Sequence, residues 1–272
     1  APVSQEPVLG QTPSENILAR AKVLYRGHPV AALAATSAHV AEEALALIEV
    51  DYEVLPAVTN VEDAMRAGAP ILHEHWASSG DDAAEGTNIA GRELHNSGDL
   101  AKGFESADIV VEREYRTKSV HQGYVEPHSA TASWAHGSRL IVWCSSQGHF
   151  GIRDNMARVL GVPVSDIKVV PMEIGGGFGG KLPVYLEPVA AILSRKCGQP
   201  VKLTMSRTEV LEATGPTSGS HVRVKMGVSR EGSITAAHAY FAFEGGAFPG
   251  APLQGAAAAV FAPYDIENVQ ID

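Results

Sequence analysis

The sequence predicts a mixed α/β (α+β) protein with two domains. The chain has 272 residues, 45% of them hydrophobic, which is enough to form the cores of two ordinary domains. The first part alternates strand and helix patterns, whereas the later part consists mainly of strand patterns with helices between them. This change of pattern separates the two predicted domains.

The first predicted domain covers residues 1–76, and its elements follow one another closely. A capping box is expected at Thr59 and Glu62, before a short helix that ends at Gly68. The other elements expected in this domain are a strand at His28–Thr36, an amphipathic helix at Ala38–Ile48 and a strand at Val50–Leu55.

Residues 77–105 are polar, contain glycine and lack a sustained period, so they are interpreted as a linker. The second predicted domain covers residues 106–272. Its expected strands are Ile109–Arg116, Ala130–Ala135, Arg139–Ser145, Asp166–Met172, a hairpin of His221–Val228 with Ser233–Phe243, and Glu267–Asp272; its expected helices are Phe150–Leu160, stopped by Gly161, and Pro183–Lys196, stopped by Gly198.

The most informative segment runs from Glu173 to Lys181 and reads EIGGGFGGK. It is costly to order because glycine loses more backbone freedom on folding than any other residue. Backbone without a Cβ lets N–H groups approach an anion closely, and a helix N-terminus adds a positive end. The order of strand, glycine loop and helix therefore predicts a cradle for a phosphate-bearing ligand.

Two common glycine motifs match this loop poorly. A P-loop needs a hydroxyl residue after the lysine to hold magnesium, and Leu182 stands there. A Rossmann loop needs an acidic residue about 20 positions on, and Glu209 lies well beyond that distance. A simple tight turn stays open as an alternative.

Composition excludes several classes of function. A net charge of −10 argues against nucleic-acid binding, which needs clustered lysine and arginine. No apolar run reaches membrane-spanning length, and no leader pattern opens the sequence, so we expect a cytoplasmic protein without a membrane partner. Cys144 and Cys197, expected to be buried thiols, are too few for an iron–sulfur cluster.

Four motifs together resemble one family. They are YRGHPVA at Tyr25–Ala31, EVDYEVLP at Glu49–Pro56, VEPH at Val125–His128, and GGGFGGK at Gly175–Lys181 with Ser146-Gln147 before it. In this order they resemble the molybdopterin-binding large subunit of the xanthine oxidase and carbon monoxide dehydrogenase family of molybdenum hydroxylases. The resemblance implies an N-terminal α/β hammerhead domain followed by part of the molybdenum-cofactor-binding domain.

The resemblance also implies the chemistry and the partners. The expected activity is hydroxylation of an aldehyde, an N-heterocycle or an aromatic substrate, or oxidation of CO, with water as the oxygen source. The expected cofactor is molybdenum-molybdopterin, with the cytosine dinucleotide form as one option. A [2Fe-2S] subunit, an FAD subunit and a chain supplying the rest of the molybdenum domain are the expected partners, besides a small-molecule substrate.

Particular residues take on roles through this resemblance. Gln147 matches the family glutamine that hydrogen-bonds an oxo ligand of molybdenum, and Phe178 matches a residue beside the metal that could wall the substrate side. Both are candidate catalytic residues. The candidate cofactor-binding residues are Gln147, Gly148, Gly175, Gly176, Gly177, Phe178, Gly179 and Gly180. No residue of the chain is expected to ligate the metal, because the pterin dithiolate does so.

One departure narrows the substrate. Purine-oxidising members carry a glutamate directly after the loop lysine, where this chain has Leu182. We therefore expect a substrate other than a purine. The chain is expected to be one piece of an enzyme, with the arginine-bearing active-site loop and the glutamate base outside it. The alternative function is a non-catalytic nucleotide-binding, phosphate-binding or assembly subunit.

Overall fold

The computed structural model describes residues 14–74, 79–80, 86–247 and 251–272. The α-helices of this part are α1 (Ser14–Ile17), α2 (Ala38–Leu45), α3 (Val61–Ala64), α4 (Leu100–Glu105), α5 (His149–Leu160), α6 (Glu187–Cys197), α7 (Arg207–Ala213) and α8 (Leu253–Ala259). The strands are β1 (Ser79–Gly80), β2 (Gly91–Arg92), β3 (His95–Ser97), β4 (Ile109–Thr117), β5 (Ser129–Ser133), β6 (Leu140–Cys144), β7 (Ile167–Pro171), β8 (Val201–Thr204), β9 (Ser220–Val228), β10 (Ile234–Phe243) and β11 (Val269–Ile271).

The chain divides into two compact units that do not follow the sequence in one block each. The first unit comprises residues up to 55 together with 121–216, and the second comprises 56–120 together with 217–272. The predicted boundaries at 76 and 105 mark different divisions and stay a prediction. Residues 95–105 of the predicted linker form β3 and α4, so this part is ordered structure.

The first unit contains a four-stranded sheet in the order β7-β6-β5-β8. The strands β6 and β7 are parallel, whereas β5 is antiparallel to both β6 and β8. Burial alternates along β5 and β6, which is expected for a sheet with one covered face. Side chains from this face pack with buried residues of α5 and α6, including Ile152, Met156 and Ala190, into the core of the unit.

The second unit contains a five-stranded sheet in the order β3-β11-β10-β9-β4. The hairpin of β9 and β10 is antiparallel, as the sequence predicted, and its turn lies between Val228 and Ile234. A smaller core on this sheet includes Ala237, Ala239 and Phe261. The mixed α/β fold class is confirmed.

The helix ends agree with the sequence where glycine stops them. Gly161 and Gly198 follow α5 and α6 with φ of 65° and 68°, the left-handed conformation that glycine adopts without strain. The predicted capping box of α3 is wrong. Asn60 is the N-cap, since its side chain accepts from the Asp63 N–H at 2.8 Å, and asparagine is a favoured N-cap residue.

The predicted strands at 28–36 and 50–55 are absent from the structure, although 28–74 is described throughout. A strand needs a ladder of hydrogen bonds to a neighbour, and no described segment forms a ladder with either stretch; the Ala19 N–H makes a single bond to the Pro29 carbonyl at 2.8 Å. The helix expected at 38–48 ends at Leu45, and none of its residues is buried.

Two further expectations concern the cysteines and the membrane. Cys144 is buried as expected, but Cys197 is exposed, because it lies in the last turn of α6. Among the described residues, no helix is long and apolar enough to cross a membrane.

Candidate functional site

The glycine loop lies in the first unit between β7 and α6, but not directly against α6. Residues 181–186 separate the loop from Glu187, where α6 begins. The prediction that Pro183 opens this helix is wrong, because Pro188 occupies the first turn. The N-terminus of α6 therefore does not follow the loop as the sequence predicted.

A different helix begins beside the loop, and Gln147 makes the connection. The Gln147 side-chain Oε1 accepts from the N–H groups of Gly179 at 2.9 Å and Lys181 at 3.1 Å. The Gln147 N–H donates to the Lys181 carbonyl at 3.0 Å. The next residue, Gly148, is the N-cap of the 12-residue helix α5 and makes no side-chain cap. The positive end of α5 thus lies next to the loop.

Three glycines of the loop are required by close approach. A Cβ on Gly175 would lie 2.7 Å from the Glu126 Cβ, and one on Gly177 would lie 2.5 Å from the Gln147 Oε1. A Cβ on Gly180 would lie 2.7 Å from the Tyr124 ring. These distances are shorter than any normal carbon contact, so the loop packs against its supports through bare backbone.

The backbone of the loop also presents unpaired donors. Within the described part of the chain, the N–H groups of Gly176, Gly177 and Phe178 have no protein acceptor. Phe178 has a φ of 50°, which makes it the one described non-glycine residue with a positive φ, and it is 74% exposed. Unpaired N–H groups in a tight turn form an anion-binding nest. The loop therefore fits the anionic part of a phosphate-bearing cofactor.

The loop packs on an ion pair between Lys181, which is buried, and Glu126, whose side chain is 31% exposed. The sequence did not predict this pair. The Lys181 side chain is 0% exposed, and its Nζ donates to Glu126 Oε2. The same oxygen accepts from the Gly175 N–H at 2.6 Å. Burial raises the pKa of Glu126, but the hydrogen bonds from Lys181 and Gly175 outweigh burial and hold this pKa below its ordinary value.

Next to this pair lies a buried Tyr–His pair. The Tyr124 hydroxyl and His128 Nε2 are 2.5 Å apart, and the two residues are 1% and 3% exposed. Burial, followed by the positive charge of Lys181, lowers the pKa of His128 to about 4. His128 is therefore a neutral imidazole near pH 7. The VEPH motif that suggested the family thus contributes Glu126 and His128 to the support of the loop.

Two other histidines have hydrogen-bond partners outside the glycine loop. His121 lies 2.9 Å from the Thr214 hydroxyl, and His73 lies 3.1 Å from the Ala247 carbonyl. His75 lies outside the described residues. Across the part of the chain that the structure describes, no group of three or more His, Cys, Asp or Glu residues could hold a metal ion.

Comparison with known proteins decides the family. Residues 82–272, which include Gln147 and the glycine loop, match the model of the molybdopterin cofactor-binding domain. The chain belongs to this family. Residues 2–56 match the α/β hammerhead domain of aldehyde oxidase and xanthine dehydrogenase. The resemblance and the order of the two domains inferred from short motifs are confirmed, and molybdenum-molybdopterin is the cofactor that the matched domain binds.

Individual relatives are similar along most of this chain. The chain is 29% identical over 263 residues to a probable xanthine dehydrogenase subunit of Bacillus subtilis, covering 96% of this chain and 34% of the relative. It is 28% identical over 254 residues to the nicotinate dehydrogenase large molybdopterin subunit of Eubacterium barkeri, covering 92% and 57%. The chain thus spans about a third of the length of the first relative.

A solved structure supports the fold. The quinoline 2-oxidoreductase of Pseudomonas putida 86 superposes with a TM-score of 0.81 and 26% identity. The match covers 99% of this chain and 35% of that chain. The fold is therefore that of a molybdenum hydroxylase over a limited portion of such an enzyme.

Proposed function

We propose that this chain is part of the molybdenum-cofactor-binding subunit of an oxidoreductase. The enzyme hydroxylates an aldehyde, an N-heterocycle or an aromatic compound, or oxidises CO, with water as the oxygen source. The observation that carries this proposal is the set of unpaired N–H groups at Gly176–Phe178 beside the N-terminus of α5. Both features favour an anionic ligand.

The residues of the loop divide the work of holding the cofactor. The N–H groups at Gly176–Phe178 bind and orient its anionic part, and Gly148 opens the positive end of α5 toward the same region. Gly175, Gly179 and Gly180 shape the loop around it, since their own N–H groups are already bonded to Glu126 Oε2, Gln147 Oε1 and the Gly177 carbonyl. When bound, the molybdenum cofactor supplies the redox chemistry.

Gln147 is the proposed catalytic side chain that reaches the metal. Its Oε1 accepts from two N–H donors, so the amide orientation is fixed by hydrogen bonding, and Nε2 has no acceptor among the described residues. A neutral amide donor does not titrate, so this hydrogen bond is independent of pH. Phe178, with its exposed ring, is the proposed wall on the substrate side.

The proposed substrate is not a purine. Leu182 is 52% exposed where purine-oxidising members carry a glutamate, and an apolar side chain cannot hydrogen-bond a purine ring. The exposed rings of Phe178 and Phe150, the latter in the first turn of α5, add apolar surface. The proposed partners are an iron–sulfur subunit with [2Fe-2S], a flavin subunit with FAD and the chain that completes the molybdenum domain. The cytosine dinucleotide form of the pterin is part of the proposal.

Metal analysis and cofactor extraction of the complex as purified from its source test this proposal. We expect near-stoichiometric molybdenum together with a pterin. A preparation without molybdenum that carries an ordinary nucleotide would instead support the non-catalytic alternative and overturn the proposed activity.

A substitution in the same complex tests the role of Gln147. Gln147→Glu keeps an acceptor for the Gly179 and Lys181 N–H groups but removes the amide donor. We expect the molybdenum content to stay near the wild-type value, while kcat falls on the order of 100-fold, as on removal of one catalytic donor. Gln147→Ala, which removes both functions, should lower molybdenum content as well. Full activity of Gln147→Glu would contradict the proposed role.

A further inference from the structure

Lys181 is the most deeply buried charged residue of the site, and the proposed function does not use its charge. Its side chain is 0% exposed, whereas lysine is almost never fully buried without a partner. Its Nζ donates to Glu126 Oε2 and lies 5.1 Å from the centre of the Tyr124 ring, within the range of a cation–π contact. The lysine charge is thus held between the loop and the Tyr124 ring, away from solvent.

Glu126 joins the two ends of the glycine loop through this lysine. Its Oε2 accepts from the N–H of Gly175, the first loop glycine, at 2.6 Å, and from the side chain of Lys181, the residue that ends the loop. The backbone adds a bond from the Glu126 N–H to the Gly175 carbonyl at 3.4 Å. The pair therefore closes the loop into a ring. We call Lys181 and Glu126 the loop clasp.

Tyr124, which lies against both Lys181 and Gly180, is itself held in place by hydrogen bonds. Tyr124 bonds His128 through its hydroxyl, and its carbonyl accepts from Arg207 Nη1 at 3.0 Å. A Cβ on Gly180 would meet the Tyr124 ring at 2.7 Å, so the loop rests directly on this ring. Tyr124 is therefore buried and hydrogen-bonded at both its hydroxyl and its carbonyl.

The clasp is placed to orient the loop donors rather than to add stability. This ion pair is expected to contribute little net stability, because the cost of desolvating the buried lysine offsets most of the attraction between the two charges. Its geometry is nevertheless specific, because Glu126 Oε2 can serve Gly175 and Lys181 together only when the loop is closed. The unpaired N–H groups of Gly176, Gly177 and Phe178 lie between these two anchors.

We propose that Lys181 and Glu126 are positioning residues that close the glycine loop and aim its unpaired N–H groups at the anionic part of the cofactor. This inference rests on the proposed function. It extends that function to two side chains that act through the backbone of the loop.

The test compares three variants of the complete enzyme: Lys181→Met, Glu126→Gln and the double variant. Each is measured for molybdenum and pterin per chain, for thermal unfolding, and for hydrogen exchange of the amides at 175–181. Glutamine at 126 keeps an acceptor for the Gly175 N–H, and methionine keeps the packing over Tyr124. The double variant therefore removes the charges with little loss of volume.

We expect stability and cofactor retention to separate. Glu126→Gln should unfold at a lower temperature than Lys181→Met, because it leaves a buried lysine unpaired. The double variant should unfold near the wild-type temperature. It should nevertheless retain roughly tenfold less cofactor under the same dialysis, the effect seen when supporting residues of a metal site are removed. Its amides at 175–181 should exchange faster than those of the wild type.

A spectroscopic readout and a control complete the test. Any cofactor that the double variant retains should give a shifted Mo(V) electron paramagnetic resonance spectrum, because the donors around it are no longer aligned. Lys202→Met, the same substitution at an exposed lysine of β8, should change none of these measurements. If the double variant kept wild-type cofactor retention, amide hydrogen exchange and Mo(V) spectrum, the proposed role of the loop clasp would be overturned. Absence of molybdenum from the wild type would overturn the proposed function instead, and the exchange data would still decide whether the clasp closes the loop.

Discussion

Two regions of the same compact unit differ in the kind of side chain that they leave exposed to solvent. Around the glycine loop, the buried residues include Lys181 at 1%, Tyr124 at 1% and His128 at 3% exposure. In residues 38–55, the apolar side chains are exposed instead, with Leu47 at 82% and Val54 at 90%. In these two regions, hydropathy alone does not decide which side chains are buried. A buried polar network beneath unpaired donors is costly to leave half-satisfied, and it specifies one geometry.

The largest effect that would sharpen this comparison comes from His128. Its pKa in the folded protein is about 4, below the ordinary 6.5, because of burial and the charge of Lys181. The unfolded chain therefore takes up the proton first as the pH falls. Stability from this group is complete above about 6.5 and declines until about 4, by roughly 3 kcal/mol over the whole interval. Urea unfolding at a series of pH values measures this decline.

The matched variant is His128→Gln, which cannot titrate but can still bond the Tyr124 hydroxyl. Its unfolding free energy should depend less on pH between neutrality and about 4. Equal pH dependence in the two proteins would show that His128 is not held neutral, and the contrast with residues 38–55 would lose its main support.

A smaller effect is expected from Gly180→Ala. The added Cβ would lie 2.7 Å from the ring of Tyr124, which is buried and cannot move aside. Overpacking of this kind should lower the free energy of unfolding by about 2 kcal/mol. Gly151→Ala is the control, because its Cβ meets nothing within 4 Å in α5, and it should stabilise the helix by about 0.5–1 kcal/mol. Equal effects of the two substitutions would break the comparison.

The smallest effect is expected in the exposed region. Val54→Ser should change the free energy of unfolding by less than about 0.5 kcal/mol, since the side chain is 90% exposed. The same substitution at Val142, which is 0% exposed in β6, should lower it clearly more. A large loss from Val54→Ser would show that this residue is covered in the folded protein.

The elements that the sequence predicted best are fixed by neighbouring residues. Gly161 and Gly198 end their helices through local backbone conformation, and the hairpin of β9 and β10 turns within a few residues. The prediction of strands at 28–36 and 50–55 was wrong because β propensity describes how well a residue fits a paired surface. The sequence of one segment does not show which segment it pairs with.

The candidate site was predictable to a similar extent. The glycine loop can be recognised directly in the amino-acid sequence. Gln147 was predicted as a site residue because it matches a family motif. The clasp could not be predicted, because Lys181 and Glu126 are 55 positions apart and a lysine is normally exposed. The signal that could have found it is the presence of a lysine directly after a loop that must pack through bare backbone.

Phe178 limits how this site could be altered. With a φ of 50°, its backbone lies in a region that few side chains tolerate, while its ring is 74% exposed and has room around it. If this position were randomised, main-chain geometry rather than side-chain size would therefore decide which residues are tolerated. Glycine, asparagine and aspartate should survive such a selection, and valine and isoleucine should be eliminated whatever ligand is used.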